Sequence, residues 1–561
     1  MNALYYGDNL AVLRESIADE SVDLVYLDPP FNSNASYNVL FKAPSGEGSQ
    51  AQIEAFEDSW HWNETAERAF DEVVTGPHSD ATIMLKAMRS ALGENDMMAY
   101  LAMMAVRPIE LHRVLKPTGS LYLHCDPVAS HYLKILLDSI MGPTNFRSEI
   151  IWRRSPSHNK LTKQYGPIHD TVLFFAKSEG VTFHPGQTPY TRSYIEGEFR
   201  LRDEGGQYRL NEVMGAGTRT GDSGKPWHGY DPSTRGRHWA IPASIGERLG
   251  TAAESMTTQE QLDALLQLGL IVLSKTGRPK YKQYPGSGVA YQDIWAYQPG
   301  TEGVLFGSPQ GIDEDVKWLS NEEEKLGYPT QKPVGLLERI ISASSNEGDI
   351  VLDPFCGCGT TVHAAQKLNR RWIGIDVTNL AIALVERRLK EAFPGIVFEV
   401  HGVPKDVGGA RNLAERDKHE FQKWITATIG AQPYKGGKKG MDRGIDGYLH
   451  FRDADKKPQF AIVSVKGGEN ITSGMVRDLK GTMDREKAAL GLFLTLNDPT
   501  REMEREAASA GFYETGGMKV PRLQILTAAQ ILDDRRPQVP FGFSEGFKKA
   551  AREEAEQKRL L

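Results

Sequence analysis

The chain has 561 residues, 40% of them hydrophobic and 25% charged, with 66 Lys and Arg against 73 Asp and Glu and a formal net charge of -7. That length allows about three to five domains, and the ordinary globular composition excludes a mostly disordered chain, a collagen-like chain and a small disulfide scaffold. It also excludes a wholly basic nucleic-acid coat, so contact with nucleic acid has to come from positive charge gathered locally.

Three cysteines, Cys125, Cys356 and Cys358, are too few and too odd in number for a disulfide framework, and they suit a reducing cytoplasm. No charged-then-apolar signal opens the chain, and no apolar run nears the ~20 residues that span a bilayer. A soluble cytoplasmic protein with no membrane contact is expected.

Taken in chain order, Gly7-Asp8-Asn9 predicts a turn and NLAVLRESI a helix. Ser21–Leu27 is a short apolar run suited to a buried strand. It stops at Asp28-Pro29-Pro30-Phe31, because two prolines cannot continue a strand and they stiffen the turn after it. Residues 41–95 are polar and read as an insertion ending in a helix. An α/β rhythm returns with the helix MMAYLAMMAVRPIELHRVL, the turn Lys116-Pro117-Thr118-Gly119, the strand SLYLHCD, the helix VASHYLKILLDSIMG and the strand HDTVLFFAK. Residues 181–327, rich in Gly, Tyr, Arg and Pro with weak periodicity, read as a separate recognition module. From 328 the rhythm resumes: the helix VGLLERIISASS, the strand DIVLDPF, a glycine loop, the helix TTVHAAQKL, the strand RWIGIDV and the helix AIALVERRLKEAF. After the linker HGVPKDVGGARN, residues 413–535 form another α/β unit, and FKKAAREEAEQKRLL within 540–561 reads as an exposed tail helix.

The sharpest local pattern is IVLDPFCGCGTT, residues 350–361. A strand runs into Asp353-Pro354-Phe355, then Gly357 and Gly359, then a helix beginning near Thr360, and glycine at such points lets backbone approach a ligand closely. The next strand ends at Asp376, 376 − 353 = 23 residues on, where an acid reaches ribose hydroxyls in a βαβ unit. The third glycine of a dinucleotide fingerprint is missing, because Thr360, Thr361 and Val362 come after Gly359. That argues against a nicotinamide cofactor and for a nucleoside-type ligand without a pyrophosphate. The bland alternative is a tight strand-to-helix turn with no ligand. Cys356 and Cys358 have no partners at zinc spacing.

Asp28-Pro29-Pro30-Phe31 also comes after a buried strand, where α/β sheets place ligands. Methyl transfer to an exocyclic amine needs acceptors that draw the amine's lone pair out of ring conjugation. A carboxylate and a carbonyl fixed by prolines supply them, and an aromatic face can stack on an extruded base. The alternative is a Pro-rich strand terminator with a capping Asp.

Together, DPPF and DPFCGCGTT resemble the amino-methylating DNA methyltransferases, in the circularly permuted beta order with the catalytic motif before the cofactor motif. GDNLAVL, SLYLHCDP, HDTVLFFAK and YPTQKP fit the same resemblance, which covers roughly residues 1–180 and 328–400. It implies an α/β fold: a Rossmann-like methyltransferase core with an inserted target-recognition module and a C-terminal α/β restriction-endonuclease-like domain. The catalytic half would be 1–180, the target-recognition domain 181–327 and the cofactor half 328–402. The resemblance implies S-adenosyl-methionine as cofactor. Asp353, Phe355, Gly357, Gly359 and Thr360 would form the loop that cradles its methionine part, with Asp376 on the ribose and Asp8 near the adenine. Thr330, Gln331 and Lys332 would close the methionine end. Asp28, Pro29, Pro30 and Phe31 would be catalytic. Asp rather than Ser at the head of that motif leans, as a family tendency, towards N6 of adenine, with N4 of cytosine as the alternative.

Double-stranded DNA is the expected partner. Residues 147–163 gather Arg147, Arg153, Arg154, Lys160 and Lys163 beside Trp152, a set that either neutralises phosphates or forms a solvated loop. In 181–327, Arg, Tyr, Trp and Gly interleave in YRLNEVM, RGRHW and RPKYKQY. The sequence leaves room for a homodimer and for a restriction partner.

In the C-terminal unit Asp446 and Lys466 stand 466 − 446 = 20 residues apart, each at a strand end. An acid for a divalent cation with a nearby lysine suits metal-assisted phosphodiester hydrolysis. The arrangement resembles PD-(D/E)xK restriction endonucleases, which implies Mg²⁺ held by Asp446, with Glu420 as an extra acid. Ser464 departs from that pattern, standing where a Glu, Asp or Gln is expected. Three readings compete: a methyltransferase, a methyltransferase–endonuclease fusion that also cleaves DNA, or a DNA-binding protein with a relic cofactor site. The basic run Lys435, Lys438, Lys439 and Arg443 favours DNA contact under any of them.

Overall fold

The computed structural model describes residues 2–30, 36–39, 53–57, 61–156, 163, 165–286, 288–297, 312–320, 324–328, 330–434, 444–455, 457–540 and 550–553. Phe31, Lys160, Lys435, Lys438, Lys439 and Arg443 lie outside them.

Among the described residues, nine strands build the main sheet: β1 (Ala3–Tyr6), β2 (Val22–Leu27), β3 (Leu115–Cys125), β4 (Phe146–Arg153), β5 (His169–Ala176), β6 (Ile294–Trp295), β7 (Ile350–Asp353), β8 (Arg371–Asp376) and β9 (Glu399–His401). Their order across the sheet is β6-β4-β5-β3-β2-β7-β8-β1-β9. The central pairs β3–β2, β2–β7 and β7–β8 are parallel, and β5 runs antiparallel between β3 and β4. β2 is buried along its whole length because helices cover both faces of the sheet, and this explains its unbroken apolar sequence. Its side chains still alternate. Val25 and Leu27 enter one core with Leu121, Leu123 and Leu13, while Leu24 and Tyr26 enter the other with Tyr122, Val172 and Ile340.

Helix α1 (Asn9–Ser16) starts where the sequence suggests, with Asp8 as N-cap accepting the Leu10 N–H at 2.9 Å. Helix α2 (Thr360–Lys367) is reached from β7 through the glycine loop, and α3 (Asn379–Ala392) comes after β8. The basic stretch from 147 is not a loop at its start. Residues up to Arg153 belong to β4, and Trp152 is buried, donating its indole N–H to the Val316 carbonyl at 2.7 Å. Arg154 pairs with Asp170 at 2.9 Å.

Residues 185–292 and 297–314 form a compact unit of their own. The expected module over 181–327 is therefore interrupted. β6 joins the main sheet beside β4, and Asp315 pairs with the buried Arg339. Within the unit, Leu201–Asp203, Gly206–Glu212, Ile271–Leu273 and Pro279–Gln283 form a four-stranded antiparallel sheet. A small core includes Trp227, Trp239, Leu262, Leu265 and Tyr281. Arg209, Arg278 and Lys282, three of the interleaved cations, are engaged by Glu198, Glu212 and Asp203, whereas Arg235 and Arg237 face solvent.

The C-terminal unit is built on helix α4 (Lys418–Thr428) and a second sheet: β10 (Gln432–Pro433), β11 (Gly447–Arg452), β12 (Pro458–Lys466), β13 (Leu490–Thr495) and β14 (Leu523–Thr527). It packs with the main sheet as one unit. Helices α3 and α4 line a shared groove, and Tyr6 at the end of β1 donates its hydroxyl hydrogen to Glu420 on α4. Of the expected tail helix, the described residues Ala550–Glu553 are not helical. They lie along the core instead, the Ala550 N–H on Glu391 at 2.8 Å and Glu553 on His363 at 2.8 Å. Contacts of this kind override local helix propensity.

Candidate active site

Two stretches far apart in sequence meet at the middle of the main sheet. β2 ends one residue before Asp28 and β7 ends at Asp353, and they pair with Val351 beside Leu24 and Leu352 beside Val25. From β2 the chain works outward through β3 to one side, and from β7 through β8 to the other. The crevice at the carboxyl ends of strands where winding reverses is where open α/β sheets bind ligands. Here it is a cavity of about 310 Å³ lined by Asp8, Asp28, Pro29, Pro30, Thr330, Lys332, Asp353, Phe355, Gly357, Thr360 and Asp376. Of the predicted methyltransferase residues that are described, Gln331 and Gly359 are not on its wall.

Gln331 is a clamp instead. Its Oε1 accepts the Leu326 N–H at 2.8 Å and its Nε2 donates to the Glu324 carbonyl at 2.7 Å, so the side chain folds its own loop. Gly359 serves packing. It caps α2 at φ 76°, and an added Cβ would stand 2.7 Å from a Val385 methyl. Gly359→Ala is therefore expected to destabilise the fold by about 2–4 kcal/mol through left-handed strain and overpacking. Thermal unfolding measures this, and Gly359→Ala with Val385→Ala should recover part of the loss.

Asp353 is buried; its Oδ1 accepts the Phe355 N–H at 3.0 Å, and Thr361 also hydrogen-bonds the carboxylate. Burial, reinforced by Asp28 and Asp376, pushes its carboxyl up to about 7 against those hydrogen bonds. Asp376 accepts the Gly357 N–H at 2.9 Å and both the N–H and hydroxyl of Thr378 at 2.8 and 2.7 Å. Burial raises its carboxyl too. The Asp376 side chain thus holds the glycine loop in shape as well as facing the cavity. Asp28 pairs through Oδ2 with Lys332 Nζ.

Several wall residues are not among those given a role from the sequence. Tyr26 and Tyr328 line the cavity. Arg107, in the middle of a helix, donates to Asn9 Oδ1 at 2.8 Å, and Asn9 Nδ2 donates to the Pro354 carbonyl at 2.9 Å. This chain of contacts pins the start of α1 to the glycine loop after β7. Behind that loop the buried Arg388 donates to the Cys358 carbonyl at 3.0 Å and to Thr360 Oγ1 at 3.1 Å.

The cavity fits a nucleoside-bearing cation that also carries a carboxylate. Its wall holds four acids, Asp8, Asp28, Asp353 and Asp376, against two bases, Arg107 and Lys332. Yet it also meets the start of α2, whose cap position makes no side-chain hydrogen bond, so amide N–H groups there can take an anion. S-adenosyl-methionine has this distribution of charge.

Residues 22–387 match the N6_N4_Mtase family model, described as DNA methylase. The chain belongs to this DNA methylase family. Among relatives of this methylase, the Type II methyltransferase M.EcaI of Enterobacter cloacae is 27% identical over 391 residues, which cover 69% of this chain and 69% of that protein. The DNA adenine methyltransferase YhdJ of Escherichia coli K12 is 23% identical over 419 residues, covering 74% and 91%. The StyLTI Mod subunit, from a Type III restriction-modification enzyme of Salmonella typhimurium, is 23% identical over 380 residues, 66% of this chain but only 50% of that one. Residues 413–514 of the methylase match the Mrr_cat model, described as restriction endonuclease. Among the described residues, no helix is long and apolar enough to cross a membrane.

The endonuclease-like unit brings Asp446, Ser464 and Lys466 to one end of its sheet. The Asp446 N–H donates to the Val463 carbonyl at 2.8 Å, and Asp446 Oδ2 accepts the Val465 N–H at 2.6 Å. Ser464 is buried and Lys466 ends β12. The Glu420 carboxylate is engaged by Tyr6 and Lys423. Among the described residues, no group of three His, Cys, Asp or Glu could hold a metal ion. Of Asp446, Ser464 and Lys466, only Asp446 carries a carboxylate, so it is the residue that would hold a divalent cation there.

Proposed function

We propose that this methylase moves a methyl group from S-adenosyl-methionine to the exocyclic N6 of adenine at a specific site in double-stranded DNA, in the cytoplasm. The observation that carries the reading is the single cavity walled by both Asp28-Pro29-Pro30 and the loop from Asp353 to Thr361. When bound, S-adenosyl-methionine supplies an electrophilic methyl carbon on a sulfonium sulfur. The acidic wall favours that cation, and the α2 N-terminus takes the carboxylate of its methionine part. Asp376 holds the ribose, and Asp8 lies towards the adenine.

The target adenine is extruded from the duplex into the cavity. Asp28 and the Pro29 carbonyl accept the two amine N–H groups, which turns the nitrogen lone pair out of the ring system and towards the methyl carbon. The nitrogen–carbon bond forms as the methyl–sulfur bond breaks, S-adenosyl-homocysteine leaves, and the surplus amine proton passes to the Asp28 carboxylate; this needs no covalent enzyme intermediate, so the buried Cys125 has no nucleophilic part. The unit of residues 185–292 and 297–314 reads the target sequence. The endonuclease-like unit, which matches a restriction endonuclease model, contacts DNA.

Methylation-sensitive long-read sequencing of DNA from cells expressing the protein tests this. N6-methyladenine at one recurring sequence is expected. N4-methylcytosine in its place would overturn the base assignment, and unmodified DNA would overturn the activity.

A further inference from the structure

The sequence resemblance assigns Lys332 to the methionine end of the cofactor; its side chain lies on the cavity wall and reaches Asp28. Lys332 Nζ pairs with Asp28 Oδ2, and the two side chains are only 11% and 16% exposed. The backbone that carries the lysine is fixed on both sides. Gln331 clamps the residues before it, the Lys332 carbonyl accepts the Thr360 hydroxyl at 3.2 Å, and Pro333 caps the helix Val334–Ser344. A long flexible side chain anchored this close to its root reaches one place reproducibly.

The charges around it need such a cation. Asp28 shares the cavity wall with Asp8, Asp353 and Asp376. Asp170, also buried, lies within electrostatic reach of Lys332. Burial alone would raise the Asp170 carboxyl, but His124, Lys332 and Arg154 together hold it below the usual range. Asp170 in turn accepts from His124, whose other ring nitrogen hydrogen-bonds the Tyr26 hydroxyl at 2.8 Å. Tyr26 lies on β2, two residues before Asp28. Lys332 thus ties the catalytic turn to a buried network.

We propose that Lys332 is a positioning residue of the methyl-transfer step. It fixes one carboxylate oxygen of Asp28 so that the other faces the amine of the target base. This rests on the reading of Asp28 given above. The lysine acts on the orientation and charge of the acceptor, so its loss is read in kcat far more than in cofactor affinity.

The test uses the full-length protein, plasmid DNA carrying the methylated site, and calorimetry with S-adenosyl-methionine. Lys332→Met is expected to lower kcat about 100-fold, the scale of a misplaced reacting group, with the Kd for S-adenosyl-methionine within about threefold of wild type. Lys332→Arg, which keeps the charge, should restore part of kcat. In an Asp28→Asn background Lys332→Met should add no further loss, because the lysine works through that carboxylate. A weakened Kd with unchanged kcat at saturating cofactor would make Lys332 a cofactor contact and overturn the proposal, as would losses that add in the double variant. If Lys332→Met does not fold, Lys332→Arg reads the same split between kcat and Kd. Full activity of Asp28→Asn alone would instead sink the reading of Asp28.

Discussion

Asp28→Ala should cut methyl transfer to DNA at least about 10³-fold, or about 4 kcal/mol of barrier, while S-adenosyl-methionine still binds. An aniline-like amine is a poor nucleophile because its lone pair is delocalised into the ring. Two acceptors on its hydrogens are what make the pair available, and removing the charged one takes away the stronger. The Pro29 carbonyl remains in place, since its direction is set by Pro29-Pro30 rather than by the carboxylate. Cofactor affinity should change far less than the rate, because Asp28 is one of four acids on the wall. Asp28→Asn keeps an acceptor oxygen but not the charge, and is expected to fall between Ala and wild type. Single-turnover assays with tritiated cofactor, read beside calorimetric binding, separate the two effects. A variant that methylates at the wild-type rate would leave the catalytic turn without its carboxylate role.

The parts of this site legible in the sequence are those whose chemistry is local. Pro29-Pro30 stops a strand whatever surrounds it, and Gly357 adopts φ 49° where a side chain would be strained. Asp8, Asp28, Asp353 and Asp376 all lie at or just after strand ends, so their placement comes with the strand pattern. The hidden parts depend on partners far away in sequence. Arg107 looks like any arginine on a long helix until Asn9, 98 residues earlier, closes on it. Gln331 shows the opposite failure. A motif position gives the residue type but not the direction of the side chain, and here the amide turns back on its own loop. Among the described residues of 185–292 the longest strand has seven residues, another has five and the rest two or three. Segments that short show no period, which is why only composition is readable there. Ser464 is readable as a departure from its motif. The engagement of Glu420 by Tyr6 is not, since it joins the main sheet to the C-terminal unit.

Asp353→Asn should make the ligand-free protein more stable at pH 8 and at the same time poorer at binding S-adenosyl-methionine. The carboxyl is raised to about 7 in the folded protein, whereas an unfolded aspartate titrates near ~3.9. Between about pH 4 and pH 7 the folded state therefore holds a proton that the unfolded chain has released, and stability falls as pH rises through that window. Above pH 7 the whole cost is present, of the order of 2–4 kcal/mol. Asparagine fills the same space and keeps an oxygen for the Phe355 N–H, but has no charge to desolvate. Denaturant unfolding at pH 8 should favour the variant, and the difference should shrink towards pH 4, where wild-type Asp353 is neutral in the folded state and the unfolded chain has only begun to ionise. Binding moves the other way. A cationic ligand stabilises the ionised carboxylate, so wild-type affinity should rise as pH climbs towards 7 and level off above it, with proton release on binding at pH 6 detectable by calorimetry in buffers of different ionisation enthalpy. The variant should lose that pH dependence along with about tenfold in affinity, the size of one charge-assisted contact. Equal stability gaps at pH 4 and pH 8 would mean that Asp353 is already ionised in the empty cavity, and the affinity gain would then have to come from Asp376 or Asp28.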